Sequence, residues 1–329
     1  MPTVRGRAGG PVRHSVGVSA RQAVAHLVKG FTMTETQPAP ARPARRIGLR
    51  LPVMLVVFGI VLVASAAVNS AASGNAATAL AVGVLTAGLG LWVYRRIVAA
   101  LERRPVTEVA PAALAPQVLR FTGAGIALFT LTIGVIALFG GYEIRGWGSG
   151  WAMLATLGTM IGAAVAEELL FRGALFRLVE QWQGTWAALG VSGVLFGVLH
   201  LFNPQATLWG ALAIAAEAGL MLGAAYTATR SLWVPIGLHL GWNFAESGLF
   251  GTVVSGTTGT HGLLRGAAAG SDLISGGPFG PEGSLVAILA GAAVTAVFLR
   301  RAYRTGRLVH RHRRATTPSS QSPDAAAGT

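Results

Sequence analysis

Two adjacent glutamates constrain this chain more than any other feature, because the run around them is otherwise built mainly from Leu, Ala, Gly, Val and Ile. Hydrocarbon cannot hydrate a carboxylate, so Glu167 and Glu168 both need compensation. Arg172 follows Glu168 by one helical turn, about 40° around the helix, so these two side chains can pair on one face. Glu167 lies about 100° from Glu168 and is not aligned with the arginine. The spacing predicts one paired carboxylate and one that is free to do chemistry.

The composition requires a membrane protein. Of the 329 residues, 52% are hydrophobic and 12% are charged, whereas a soluble domain carries about 25% charged residues. The net charge of +14 comes from arginines at the termini and between apolar runs. This pattern sets membrane topology and attracts anionic lipid, and it gives no reason to expect a nucleic-acid partner. We therefore predict an all-α polytopic membrane protein.

Eight apolar runs are long enough to cross a bilayer. They cover 51–72, 76–94, 121–142, a run that begins near Trp147 and holds the two glutamates, 186–202, 206–228, 231–250 and 284–299. If the fourth helix ended at Arg172, Glu167 would lie near one membrane face and His200 near the other. We therefore expect the fourth helix to continue through Phe176 to about Glu180.

Two histidines and one asparagine complete a set of polar residues in the spans. Of the seven histidines, only His200 and His239 are embedded in apolar sequence. His239 and Asn243 are one helical turn apart, and an amide beside an imidazole suits the stabilisation of an oxyanion. A single polar residue of this kind is more often a partner in helix packing. Here, however, Glu-Glu, His and His-Asn fall on three helices within 77 residues.

Two mechanisms use these residues. In the first, Glu167 is a general base that takes a proton from water with the help of His200, while His239 and Asn243 stabilise the tetrahedral oxyanion. In the second, Glu167, His200 and His239 coordinate zinc, a catalytic ligand set of two histidines and one glutamate. The chain has no cysteine and no His-Glu-x-x-His sequence. The first mechanism, without a cofactor, is therefore favoured.

The remaining polar residues of the spans receive more modest interpretations. Glu168 and Arg172 are predicted to form a structural pair that supports the site. Glu217 and Glu246 also lie within apolar runs, and the sequence assigns them no role. Pairs of glycines spaced by four residues recur around these positions, which favours close helix packing. They are Gly158/Gly162, Gly193/Gly197, Gly219/Gly223 and Gly237/Gly241.

The motifs Glu167-Glu168-x-x-x-Arg172, Phe196-x-x-x-His200 and His239-x-x-x-Asn243 occur in this order on successive membrane helices. Together they resemble the three motifs of the CPBP family, which comprises CAAX prenyl endopeptidases (Rce1-like) and bacteriocin-processing intramembrane proteases and is also called the Abi family. The resemblance covers about residues 150–250. It implies an Rce1-like helical bundle and an intramembrane endopeptidase. It also implies Glu167 as base, His200 as its partner, and His239 with Asn243 as the oxyanion hole.

The chain divides into regions by composition and motif content. We predict a disordered basic segment 1–48, three transmembrane helices within 49–145, a catalytic core 147–250, an external Gly-rich loop 251–283, a last transmembrane helix 284–299 and a basic disordered cytoplasmic tail 300–329. The style of the sequence changes at Met33, so we expect translation to start there. Arginine replaces lysine almost throughout, which is typical of a GC-rich bacterial genome and favours a bacterial plasma membrane.

Three functional readings remain at this point. The favoured one is an endopeptidase that cleaves a membrane-associated protein or peptide, with the lipid bilayer as its other partner. The second is a catalytically idle family member that acts as a membrane scaffold or immunity protein. The third is a proton-coupled transporter that uses the buried carboxylates. Inverted repeats would favour the transporter, and the sequence shows none.

The arginine distribution predicts that both termini are cytoplasmic and that the loop 251–283 is external. Arginines follow the second, fourth, sixth and eighth apolar runs, and the alternate loops contain few. Single cysteines introduced into this cysteine-free chain can be labelled on intact cells with an impermeant maleimide. A cysteine in the loop should react, and one in the tail 300–314 should be protected. Labelling of the tail from outside would contradict the predicted topology.

Overall fold

The structure is a computed structural model that describes residues 47–259 and 262–310. The predicted start at Met33 and the predicted disorder of residues 1–46 and 311–329 lie outside these described residues. The helices are α1 Ile47–Ala72, α2 Ala76–Glu102, α3 Leu114–Leu138, α4 Gly150–Glu168, α5 Arg177–Gln183, α6 Thr185–Leu199, α7 Leu208–Ile214, α8 Leu220–Thr229, α9 Trp233–Asn243, α10 Asp272–Ser275 and α11 Leu285–Arg304.

Three segments of π-helix continue these α-helices. They are Leu169–Phe176 between α4 and α5, Ala215–Gly219 between α7 and α8, and Phe244–Leu249 after α9. A π turn closes its hydrogen bonds one residue later than an α turn, which widens the helix, and such turns are frequent at functional sites. The helix that holds the two glutamates therefore runs without a break from Gly150 to Gln183. This confirms that it continues past Arg172.

The all-α polytopic membrane fold is confirmed, with one difference in the number of spans. In the described part of the chain, seven helices are long and apolar enough to cross a membrane, whereas the sequence predicted eight. The predicted run 231–250 is the exception. It forms 11 residues of α-helix and 6 residues of π-helix, and it is shorter than the others because the chain leaves the helix at Leu249.

A pair of short strands is the element that the sequence analysis missed. Strand β1 (Tyr142–Trp147) pairs antiparallel with β2 (Leu264–Ala268), and the register shifts between Ile144 and Trp147. Helix α3 ends at Leu138, before the predicted limit at residue 142, because Gly140 adopts a positive φ of 73°. The segment 251–283 is therefore partly ordered by β2 and α10 and is not a simple loop.

The side chain of Tyr142 fixes β1 to the end of the helix bundle. Its hydroxyl donates a hydrogen bond of 2.8 Å to the carbonyl of Phe250. Burial raises the pKa of Tyr142 to about 12, so the hydroxyl keeps its proton and remains a donor at neutral pH. The first strand is thus held to the residue that follows the third π-helical segment.

Close helix contacts depend on glycines. A Cβ on Gly158 of α4 would lie 2.4 Å from the backbone of Ala79 in α2, and one on Gly83 of α2 would lie 1.9 Å from the carbonyl oxygen of Gly158. On α9, a Cβ on Gly241 would lie 2.1 Å from the carbonyl oxygen of Thr122 in α3. Helices α4 and α9, which carry predicted site residues, are therefore packed backbone to backbone against α2 and α3.

A buried ion pair fixes the far end of the glutamate-bearing helix. The guanidinium of Arg177 at the start of α5 contacts both carboxylate oxygens of Glu102, at 2.7 and 2.6 Å. Its Nε also donates to the carbonyl of Gly173 at 2.8 Å, and the hydroxyl of Tyr94 donates to the same carbonyl at 3.1 Å. The π-helical segment after Glu168 is therefore stabilised by side-chain hydrogen bonds to the carbonyl of Gly173, in addition to its own backbone hydrogen bonds.

Replacing Gly158 by Ala should destabilise the protein, because the added Cβ meets backbone atoms of α2 that cannot move independently. The expected cost is about 1–3 kcal/mol, measured as a lower midpoint of thermal unfolding in detergent. Gly134→Ala in α3 is the matched control, since nothing lies within 4 Å of its new Cβ, and it should unfold at or slightly above the wild-type temperature. Equal midpoints for the two variants would disprove the close contact.

Candidate active site

Glu167 and Glu168 are the last two residues of α4, and the π-helical segment begins at the next residue. Arg172 lies inside that segment. The three side chains therefore project from the point where the helix widens. A π turn shifts the residues after it around the helix relative to an unbroken α-helix, so local geometry at this point is set by the turn as well as by sequence spacing.

Glu168 has two partners, one from its own helix and one from α9. Its Oε1 accepts a hydrogen bond from Arg172 Nη1 at 2.8 Å and lies 3.0 Å from His239 Nδ1. The side chains of Glu168 and Arg172 are fully buried. The sequence predicted the arginine as partner of Glu168, but it did not predict the histidine. Through Glu168, the Glu-Glu-x-x-x-Arg motif therefore contacts the His-x-x-x-Asn motif on α9.

The carbonyls of another π-helical segment hold Arg172 from the other side. Arg172 Nη2 donates to the carbonyl oxygens of Ala218 and Gly219, both at 3.1 Å. The aromatic ring of Phe196 also contacts the guanidinium, with 4.7 Å between Cζ and the ring centroid. Arg172 is thus surrounded by a carboxylate, two carbonyls and an aromatic face, which together compensate for its complete burial.

Glu167 occupies a different environment from its neighbour. Its side chain is 18% exposed, and its Oε2 lies 3.8 Å from His239 Nε2. The same oxygen is buried and accepts no hydrogen bond from any described residue. The two adjacent carboxylates are therefore distinct. Glu168 is fully buried, and its Oε1 is engaged by Arg172 and His239. Glu167 is partly exposed and makes neither contact, so it is the carboxylate that a reacting group can approach.

His200 follows directly after α6, and its tautomer is fixed by a backbone contact. Nδ1 lies 2.7 Å from the carbonyl oxygen of Phe196, and a carbonyl can only accept, so this nitrogen carries the proton. In the neutral ring Nε2 then has a free lone pair. The ring centroid of Phe196 lies 4.8 Å from that of His200 and 6.1 Å from that of His239. Phe196 thus packs against both histidines, a role that the sequence analysis did not assign.

Asn243 is the last α-helical residue of α9 and is half-buried, one turn beyond His239.

Glu217 and Glu246 are fully buried in the second and third π-helical segments, and neither carboxylate has a hydrogen-bond partner among the described residues. Neither glutamate contacts the group formed by Glu167, Glu168, Arg172 and His239 through a hydrogen bond. We therefore keep both outside the candidate site.

The side chains do not form a three-ligand metal centre in this arrangement. Among the described residues, no group of three His, Asp or Glu side chains is placed to hold a metal ion. Nδ1 of His200 is engaged by a carbonyl, and Nδ1 of His239 is engaged by Glu168, which leaves Nε2 of each ring to face a reacting group or an ion. The donor chemistry therefore does not decide between the two mechanisms, and the mechanism without a cofactor stays a prediction.

Removing the charge of Glu168 should destabilise the fold, because Arg172 would remain buried with a permanent positive charge. Breaking one side of a buried ion pair typically costs about 3–5 kcal/mol, so Glu168→Gln should give much less monodisperse protein on size-exclusion chromatography in detergent. Glu143→Gln on β1 is the matched control, since Glu143 is exposed, and its yield should equal that of the wild type. Normal yield and unfolding temperature for Glu168→Gln would show that Arg172 is compensated in another way.

One comparison with known proteins gives a match over the part of the sequence that forms this site. Residues 149–245 match the family model described as type II CAAX prenyl endopeptidase Rce1-like, a family of proteases. The match begins at the N-cap of α4 and ends just after Asn243, so it includes every candidate catalytic residue. No curated protein and no solved structure gives a significant match to the chain. The match over residues 149–245 supports membership of the CPBP family.

Proposed function

We propose that this protein is an intramembrane endopeptidase in which Glu167 activates a water molecule. One observation carries the proposal. The carboxylate of Glu167 has a buried oxygen that accepts no hydrogen bond from the described residues and that faces His239 Nε2 at 3.8 Å. An unengaged carboxylate beside a histidine, in a bundle of apolar helices, is an arrangement suited to general base catalysis.

His200 assists the base in this mechanism. Because its Nδ1–H is engaged by the carbonyl of Phe196, the Nε2 lone pair is available to accept a hydrogen bond from the attacking water. Glu167 takes the proton as the water oxygen attacks the scissile carbonyl carbon. A general base positioned in this way contributes about 10²–10⁴-fold to the rate.

His239 and Asn243 are proposed to bind the oxyanion. They are spaced by one turn of α9, so both side chains lie on the same face of that helix. The imidazole N–H and the amide N–H can then donate to the oxygen on which negative charge develops. This division of roles needs no metal ion.

The position of the site indicates the kind of substrate. Helix α4 and its continuation form an apolar span from Gly150 to Gln183, and Glu167 lies within it. A peptide bond can reach Glu167 only by entering the helical bundle from the bilayer or its surface. We therefore propose a membrane-associated protein or peptide as substrate and the lipid bilayer as the surrounding partner.

Glu167→Gln should nearly abolish cleavage, since it keeps the shape of the side chain and removes its basicity, at a cost of about 10²–10⁴-fold. Asn243→Ala should be slowed by on the order of 10²–10³-fold in kcat and remain measurable. The assay compares membrane proteomes of cells that express the wild type, each variant or the exposed control Glu143→Gln, and it follows new protein N-termini. Full activity of Glu167→Gln on a verified substrate would refute the assignment of the base.

A chelator experiment and the proteome comparison together distinguish the rival interpretations. Treatment of the purified enzyme with a strong chelator should leave cleavage unchanged. Loss of activity that zinc restores, together with about one equivalent of zinc in the protein, would support the metal mechanism instead. Identical proteomes for wild type and Glu167→Gln would favour a catalytically idle membrane scaffold or immunity protein.

A further inference from the structure

His239 lies between two carboxylates, one at each ring nitrogen. Nδ1 is 3.0 Å from Glu168 Oε1, and Nε2 is 3.8 Å from Glu167 Oε2. An ionised carboxylate accepts hydrogen bonds and cannot donate them, and it repels the lone pair of a bare nitrogen. The arrangement is therefore most stable when both nitrogens of His239 carry a proton, which makes the ring a cation.

The charges of the cluster lead to the same result. Glu167 and Glu168 contribute two negative charges, and Arg172 contributes one positive charge. With a neutral His239 this cluster would carry an uncompensated negative charge among apolar helices, whereas an imidazolium makes it neutral. An uncompensated buried charge costs several kcal/mol.

We propose that His239 is the general acid of the reaction, which gives its Nε2 proton to the nitrogen of the departing amine. Glu168 is then a positioning residue, which keeps the ring of His239 oriented and positively charged. This inference rests on the proposed function and adds a second chemical role to His239, after its hydrogen bond to the oxyanion. It also gives Glu168 a role in the reaction, through His239, in addition to its structural pairing with Arg172.

The step balances in atoms and electrons. In the first half, the water oxygen bonds to the carbonyl carbon, Glu167 takes one water proton, and the π electrons move to the carbonyl oxygen. In the second half, the oxyanion reforms the carbonyl, the C–N bond breaks, and the nitrogen keeps the bonding pair and receives the proton from His239 Nε2. The proton on Glu167 then passes to Nε2, the group 3.8 Å from its Oε2, and both side chains regain their starting states.

The dependence on the leaving group tests this inference. A peptide that the purified wild type cleaves, selected from a library of membrane-protein peptides in detergent micelles, is resynthesised with a thioester at the scissile bond. A thiolate, with a pKa of about 8.5, departs without a proton, whereas an amine nitrogen needs one. His239→Gln can still donate a hydrogen bond to the oxyanion. It should lose about 10²–10⁴-fold on the amide and no more than about tenfold on the thioester.

Two variants complete the test. Asn243→Ala removes only an oxyanion donor and should slow both substrates alike, by on the order of 10²–10³-fold. Glu168→Gln should lower the ratio of amide to thioester cleavage, and this ratio does not depend on how much of the variant is folded. A parallel lowering of that ratio in His239→Gln and Glu168→Gln supports the inference.

Three results would overturn it. Equal losses on both substrates for His239→Gln would show that this residue only binds the oxyanion. An unchanged amide-to-thioester ratio in Glu168→Gln would show that Glu168 does not set the charge of His239. If the wild type cleaved neither an amide peptide nor a thioester peptide, the proposed function itself would fail, and the inference with it. Cleavage by the wild type with equal losses in the variants would reject the inference alone.

Discussion

The burial of Glu168 is the constraint on which the site depends. A carboxylate with no exposed side-chain surface is tolerated among apolar helices only when other groups compensate for its charge. Arg172 supplies a cation from the same helix, and His239 supplies a second contact from α9. Arg172 in turn needs the carbonyls of Ala218 and Gly219. The contacts that begin at Oε1 of Glu168 therefore connect three parts of the bundle. They are the helix that carries Glu168 and Arg172, the π-helical segment Ala215–Gly219, and α9.

The π-helical segments make this compensation geometrically possible. In an unbroken α-helix, carbonyls are engaged by amides four residues later. Where the pattern changes to a π turn, carbonyls can turn toward other donors, as those of Ala218 and Gly219 do toward Arg172. In the described part of the chain each π-helical segment contains or directly follows a buried glutamate. These residues are Glu168, Glu217 and Glu246. The widened turns thus coincide with the places where polar groups must be accommodated.

How much could be predicted depends on whether a contact is local. The membrane fold followed from composition, and the pairing of Glu168 with Arg172 followed from a spacing of one helical turn. The contact between Glu168 and His239 joins residues 71 positions apart and depends on how α4 packs against α9, which no local pattern encodes. The strands β1 and β2 were missed because they are only 6 and 5 residues long and show no clear alternation of apolar and polar residues. The π turns were missed because one extra residue per turn barely changes an apolar periodicity.

The two neighbouring glutamates acquire different properties from a rotation of about 100° around one helix. Glu168 is fully buried and contacts Arg172 and His239 through Oε1, whereas Glu167 keeps a partly exposed side chain without these contacts. Environment, and not residue type, thus separates a charge-balancing carboxylate from a reactive one. The adjacency of the two glutamates thus places a buried carboxylate and a partly exposed one next to the same histidine.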